Sequence, residues 1–260
     1  MDLGIAGRKA IICASSRGLG RACAEALAAE GVSVVLNGVN PERLASVAAE
    51  VRAAYPKVEV MAVVADVATA EGRAALLAAC PDPDILINNV GGPPVLPPLE
   101  ATEEQWLSAL NSVLMSAVLL TQQVVPGMVE RRFGRVINIT SGQVTAPRGE
   151  MALSAAPRAA LTAFMKGLSL EVMQHNVTIN NMLPERFATD RQRDHARRVS
   201  EERGIPLEQA LRERGSGVAA KRLGEPVEFG ATCAFYCSVH AGYMSGANLH
   251  LDGGSYPGLV

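Results

Sequence analysis

The stretch Ile11-Ile12-Cys13-Ala14-Ser15-Ser16-Arg17-Gly18-Leu19-Gly20-Arg21 holds the residues whose types and spacing best suit chemistry. A β-branched apolar run gives way to two serines and an arginine, then to two glycines at the head of an Ala-rich, helix-periodic segment. Gly18 and Gly20 lack β-carbons, so the turn can be tight and an anion can come close to the backbone. Free N–H groups and the macrodipole at a helix N-terminus favour phosphate there. The pattern suits a strand–turn–helix cradle for a pyrophosphate, although a plain strand-to-helix connection can use the same two glycines.

The end of the second strand bears on which dinucleotide would sit in that cradle. NAD recognition needs a carboxylate at that point to accept hydrogen bonds from the adenosine ribose hydroxyls. Here the stretch reads Leu36-Asn37-Gly38-Val39-Asn40 and contains no acid. Arg17 can pair with a 2′-phosphate, so NADP(H) is favoured over NAD(H). Val39 supplies no second cation, which leaves a solvated or structural role for Arg17 open. The five cysteines form no CxxC pair, and their odd number argues against a disulfide framework. Cys233 and Cys237 share a helix face, but with His240 alone beside them they fall short of a zinc ligand set, so no metal is expected.

These candidates need elements to position them. Short apolar runs at 10–14, 33–37, 59–64, 85–88, 135–140, 178–183 and 248–251 alternate with Ala/Leu-periodic segments near 18–31, 41–54, 69–79, 102–130, 153–174 and 225–238. That alternation is the signal of repeated βαβ units, and seven strands with right-handed crossovers predict a doubly wound parallel sheet of the Rossmann-like α/β class. Residues 190–221 break the rhythm with an Arg-, Glu- and Gln-rich stretch too long for an ordinary connection. It reads as a lid made of two short helices broken at Gly204-Ile205-Pro206.

With 260 residues, 48% hydrophobic and only 4% aromatic, the chain is expected to form one domain over 1–260 with a core of Ala, Val, Leu and Ile. A formal net charge of −2 and the lack of any run of five Lys or Arg argue against a nucleic-acid partner. The N-terminus has no basic, then apolar, leader pattern, and no uninterrupted apolar run reaches the ~18 residues a membrane span needs. A cytoplasmic protein with no membrane partner is therefore expected.

Further segments follow the Gly-rich turn in order: Asp66-Val67, Asn88-Asn89-Val90-Gly91, Ile139-Thr140-Ser141, Pro184 to Thr189, Arg222-Leu223-Gly224-Glu225-Pro226 and Leu251-Asp252-Gly253-Gly254. Together they resemble the short-chain dehydrogenases/reductases over residues 5 to 255, with most likeness to the 3-oxoacyl-carrier-protein-reductase-like branch. The resemblance implies that Ser15, Ser16, Arg17, Gly18, Leu19 and Gly20 line the phosphates. It places Asp66 and Val67 at the adenine, Asn37, Asn89 and Gly91 on the adenosine or ribose side, and Pro184, Phe187 and Thr189 near the nicotinamide carboxamide. Two departures stand out: the family's first turn glycine is Ala14, and the glycine after Pro184 is Glu185, a carboxylate close to where nicotinamide is expected.

The resemblance also implies a catalytic set of Ser, Tyr, Lys and Asn. Ser141 matches the Ser after the fifth strand. Thirteen residues on, at the Tyr position, stands Ser154, and four further, at the Lys position, stands Arg158. The following Ala159-Ala160-Leu161 supports this ungapped register. The Asn position holds Val113, and Asn111, two residues away on a helix, lies about 200° round the axis. A serine hydroxyl is a far poorer acid or base than a tuned phenol, and an arginine cannot cycle a proton. His175, His195, His240 and His250 match no catalytic position, though the lid could bring in His195 or Glu185.

Two readings follow from this. One is an NADP(H)-dependent oxidoreductase acting on a small-molecule carbonyl or alcohol, 3-oxoacyl-like among the options, with Ser141, Ser154 and Arg158 binding the oxygen and solvent supplying the proton. The other is a nucleotide-binding but redox-inactive sensor or partner subunit. The run Pro93-Pro94-Val95-Leu96-Pro97-Pro98, with Met151 and Phe187, suggests an apolar substrate wall. The long helices at 102–130 and 153–174 resemble those that pair in the family, which implies a homotetramer or at least a dimer.

Overall fold

The computed structural model describes residues 1–259. Seven parallel strands form one sheet: β1 (Lys9–Ile12), β2 (Ser33–Gly38), β3 (Val60–Val64), β4 (Ile85–Asn88), β5 (Gly134–Ile139), β6 (Val177–Pro184) and β7 (Asn248–Leu251). Their order across the sheet is β3-β2-β1-β4-β5-β6-β7. All of β4 and β5 is buried, as expected for central parallel strands covered on both faces. The strand order reverses between β1 and β4, and the crevice beyond the strand ends there is where ligands of such sheets bind.

The helices divide between the two faces. Helices α1 (Gly18–Ala29), α2 (Pro41–Ala54) and α9 (Pro226–Cys237) cover one face, sending Leu27, Leu44 and Phe229 into a core with Ile12 and Ile137. Helices α3 (Ala70–Ala79), α5 (Ser116–Glu130) and α6 (Ala152–Val172) cover the other, where Leu76, Leu120 and Met165 meet Ile11 and Val136. Their starts are written into the sequence. Asn40 caps α2 through the Arg43 N–H at 2.8 Å with Pro41 in the first turn, and Thr69 caps α3 through the Gly72 N–H at 3.0 Å.

The long run predicted at 102–130 is less regular than one helix. Thr102 and Gln105 form a reciprocal capping box at the head of α4 (Glu103–Ala109), and a π-helical turn over Leu110–Met115 joins α4 to α5. By length and composition Glu103–Glu130 could cross a membrane. In the fold it is a core element, with Val113, Leu120, Val124 and Met128 buried. The predicted lid is two helices, α7 (Asp190–Arg203) and α8 (Leu207–Ser216), and Gly204 ends the first with φ +61°, a left-handed conformation that glycine adopts without strain.

Candidate active site at the carboxyl ends of the strands

The turn after β1 is tied down by its own side chains. The Ser15 hydroxyl donates to the Ile12 carbonyl at 2.9 Å and accepts from the Asn37 N–H at 2.9 Å. The Asn37 amide donates to the Val63 and Ala65 carbonyls and accepts from the Ala14 N–H. Both residues are fully or almost fully buried. Ser15 and Asn37 therefore brace the turn, and the expectation that they touch a dinucleotide is corrected: their polar atoms are already spent. Asn89, also expected on the ribose side, donates to the Ala14 carbonyl at 3.3 Å. A β-carbon at Gly20 would collide with that carbonyl, so glycine here lets α1 pack against the turn.

Outside this braced turn lies a pocket of about 400 Å³ between α1, α2 and the segment after β6, with Ser16, Arg17, Gly18 and Thr189 among its walls. The Thr189 side chain, expected near the nicotinamide carboxamide, lies beside Gly18, so the segment after β6 approaches the phosphate turn. Arg43, one turn into α2, enters the same pocket. Sequence reasoning missed it, because it looked for a second cation directly after β2 and not on the capped first turn of the helix that follows. A third arginine, Arg21, is neutralised by Glu25 and Glu50, each at 2.7 Å, whereas among the described residues Arg17 and Arg43 have no carboxylate partner. Across the sheet edge, Asp66 is exposed with one carboxylate oxygen accepting from the Ala68 N–H, Val67 is buried, and Gly91 opens onto free space.

The positions that the family resemblance makes catalytic converge at the end of β5. Arg158 is 7% exposed. Its Nη1 donates to the Ile139 carbonyl at 2.7 Å and the Thr140 carbonyl at 3.0 Å, and its Nε donates to Ser154 Oγ at 3.2 Å, one turn earlier on α6. Burial and the nearby Arg191 cation pull the guanidinium down to about 10, so it stays charged at neutral pH. Because Ser154 Oγ accepts from Arg158 and Ser141 Oγ accepts from the Gln143 N–H at 3.2 Å, both hydroxyl protons are left to donate elsewhere. Pro157, between the two α6 residues, removes the N–H that would otherwise donate to Leu153.

Val113 is buried within the π-helical turn and faces a small cavity of about 10 Å³ shared with Asn88, Asn89, Ser116 and Arg158. Asn111 instead turns to the surface and donates to the Ala68 carbonyl, so it does not replace the missing asparagine. The carboxylate of Glu185 lies beside the Ser141 turn: a β-carbon on Gly142 would sit 3.0 Å from its Oε2. Arg148 at 3.1 Å and Arg186 at 3.8 Å neutralise it.

Two expected contributors lie elsewhere. Phe187 is buried edge-to-face against Phe229, ring centroids 5.4 Å apart, so it belongs to the core and not to a substrate wall. His195 sits on α7 against Arg214 of α8 at 2.8 Å, and burial together with that cation holds its pKa below the ordinary histidine range. The Pro93–Pro98 loop is largely exposed, and its Leu96 N–H donates to the Glu150 carbonyl, which closes the loop onto the segment before α6.

Comparison with known proteins agrees with this geometry. The family described as short chain dehydrogenase matches residues 8–199. The chain belongs to the short-chain dehydrogenase/reductase family. NADPH-dependent reductase BacG of Bacillus subtilis is 30% identical, covering 95% of this chain and 97% of the relative. The 3-oxoacyl-[acyl-carrier-protein] reductase FabG of Escherichia coli is 33% identical over 96% of this chain and 98% of its own. The crystal structure of L-sorbose reductase from Gluconobacter frateurii, complexed with NADPH and L-sorbose, superposes with a TM-score of 0.95 at 32% identity, covering the whole of both chains. The short-chain dehydrogenase/reductase family is one of oxidoreductases, and the chain has its seven-stranded sheet in full.

Proposed function

We propose that the chain is an NADP(H)-dependent reductase of a small carbonyl compound in which a serine–arginine pair replaces the customary tyrosine–lysine pair. One juxtaposition carries this reading. A pocket in which Arg17 and Arg43 have no carboxylate partner, while Glu25 and Glu50 are held by Arg21, lies at the β1/β2 side, and a buried, charged Arg158 with Ser154 stands at the end of β5. The pocket fits the 2′-phosphate of NADP, since no acid competes for it after β2 and Asn37 is committed to the turn. Ser16, Gly18 and Thr189 would hold the rest of the phosphate chain. That two of the relatives are NADPH-dependent or NADPH-bound supports the same choice.

When bound, the cofactor supplies hydride, and the protein's own contribution is positioning and charge. Arg158 places a fixed cation where an alkoxide develops, and the free hydroxyl protons of Ser141 and Ser154 orient the carbonyl oxygen toward it. None of the three is suited to giving up and regaining a proton near neutrality, so solvent delivers it. The cavity lined by Asn88 and Arg158 is about the size of one water, and the buried Oδ1 of Asn88 has no protein partner among the described residues. In this reading residues 190–221 close over the substrate, the chain assembles as a dimer or tetramer, and the enzyme works in the cytoplasm, where its free, buried cysteines stay reduced.

The test is a fluorescence titration with NADPH and NADH, followed by a carbonyl panel watched at the nicotinamide absorbance. NADPH should bind more tightly, and at least one carbonyl should be consumed. Equal or reversed cofactor affinities would remove the Arg17–Arg43 argument, and tight NADPH binding with no turnover on any carbonyl would leave a nucleotide-binding protein in place of a reductase.

A further inference from the structure

Two guanidinium groups at the reaction end of the cleft have no counter-charge. Arg158 is more than nine-tenths buried, its hydrogen bonds go to two carbonyls and a serine, and the charge acting on it is another cation, Arg191. Arg191 comes from the first turn of the lid helix α7 and lays its guanidinium against the backbone of Gly92, where a β-carbon would collide with it. Among the described residues it makes neither an ion pair nor a hydrogen bond. Of the other charges near the cleft, Glu185 is matched by Arg148 and Arg186, and the Arg214 guanidinium is engaged by hydrogen bonds to Gln192 and His195.

Burying one cation and setting a second beside it is costly unless an anion completes the site. The phosphates of a dinucleotide are not placed to do so. Their pocket lies at β1 and β2, and its walls include Thr189 and Asp190, whereas Arg191, next on the helix, turns the other way over the end of β4. The two unmatched cations are thus separate from the 2′-phosphate pair Arg17 and Arg43, and they flank the place where the carbonyl is reduced.

Resting on the reductase reading, we propose that the substrate is a 2-oxo acid, its keto oxygen on Ser154 and Arg158 and its carboxylate on Arg191. Two adjacent oxygen-bearing carbons suit two cations whose fields overlap, and a planar guanidinium recognises a carboxylate through paired hydrogen bonds. The step balances. A hydride from the reduced nicotinamide cofactor bonds to the keto carbon, the C=O π pair moves onto oxygen, and that oxygen takes a proton from solvent. The products are the 2-hydroxy acid and the oxidised cofactor. Arg191, arriving from the lid, also couples closure to an acidic substrate, because the arginine finds its partner only when the lid lies over the cleft.

The experiment combines binding and kinetics on the full chain. Oxamate, an unreactive 2-oxo-acid mimic, is titrated calorimetrically into the wild type, Arg191→Gln and Arg191→Lys, each with and without NADPH. Pyruvamide serves as the neutral control, and KM and kcat are measured for 2-oxo acids of three to eight carbons against the matching methyl ketones. The proposal expects oxamate to bind well above pyruvamide, Arg191→Gln to weaken it by about 10–100-fold, and Arg191→Lys to recover part of the loss. KM for oxo acids should rise by a similar factor in Arg191→Gln, with NADPH affinity and methyl-ketone KM unchanged. Equal binding of oxamate and pyruvamide would overturn it, and so would an Arg191→Gln defect confined to NADPH, which would assign Arg191 to the cofactor. If NADPH fails to bind at all, the reductase reading falls, while oxamate bound through Arg191 without cofactor would still sustain the anion site.

Discussion

Arg158 carries its charge where a lysine would be easier to discharge, and this has a measurable consequence. Its conjugate-acid pKa is depressed to about 10 by burial and by Arg191, so the group is cationic below that pH and neutral above it. A reaction that needs the cation should therefore hold steady across neutral pH and fall as pH rises through about 10. The profile of kcat/KM for reduction checks this, and a decline already complete near pH 8 would give the role to another group. The same sign applies to stability. Between about 10 and the ordinary arginine value the unfolded chain binds the extra proton, so burying the cation is a cost at neutral pH that the carbonyls of Ile139 and Thr140 offset.

The substitutions at the catalytic positions can also be reversed. Ser154→Tyr, Arg158→Lys and Val113→Asn together should raise reduction of simple ketones, by up to the ~10²–10⁴-fold that general acid catalysis contributes. Ser154→Tyr alone should do less, since a phenol without the lysine stays near its ordinary pKa. Steady-state rates on one ketone across the three single and the triple variants decide this, and an unchanged triple variant would mean that the pocket no longer presents ketones to that position. At this scale the register was legible that places Ser154 and Arg158 beside the Ser141 turn at the end of β5. The sequence was misleading for Ser15, Asn37 and Phe187, because residue type alone does not say whether a polar atom is spent on the backbone or an aromatic ring on the core.

At the scale of elements, the turn after β1 shows how a departure from the family pattern is carried. Ala14 occupies the family's glycine position with φ +46°, in the left-handed region, where a β-carbon costs about 1 kcal/mol. Ala14→Gly should relieve that strain, partly offset by the freer unfolded glycine, for a net gain of roughly 0.5 kcal/mol. Ala14→Val, β-branched in the same conformation, should lose about 2 kcal/mol. Urea unfolding of the two variants provides the comparison, and equal midpoints would show that the turn relaxes away from this φ. The helix after β2 offers a second test. Arg43→Glu and Arg17→Glu should each weaken NADPH selectively over NADH, by about tenfold or more for a charge-assisted contact, with fluorescence titration as the measurement. Helix starts and strand runs were readable because caps and apolar periods are local signals. The π-helical turn at Leu110–Met115 was not, since an unbroken apolar pattern reads as one helix and the extra residue shows only in the backbone.

At the scale of the whole molecule, the seven strands and their helices were legible nearly to the residue, because each βαβ unit announces itself by its own period and the crossover rule leaves few ways to assemble them. The assembly of copies is the part that one chain's core does not dictate, yet its surface bears on it. Helix α6 exposes Leu170 at 71% and Ala156, Ala159, Ala160 and Ala163 on its outer side, while the run leading into α5 exposes Leu107 at 58% and Met115 at 39%. Val118 and Phe164 are only partly covered by the core beneath them. Small residues beside large apolar ones allow two helices to approach closely, and burying such faces in a second copy removes apolar surface from water at about 25 cal/mol per Å². A dimer through α5 and α6, or a tetramer built from it, is therefore expected at micromolar concentration. Light scattering should give at least twice the 27.3 kDa of one chain. Leu170→Glu with Ala163→Glu should shift the population toward monomer without unfolding it, since both side chains lie outside the core. A wild type that scatters as a single chain would mean that these faces stay in solvent, and reduction by such a monomer would show that the site between β4, β5 and the lid needs no second copy to work.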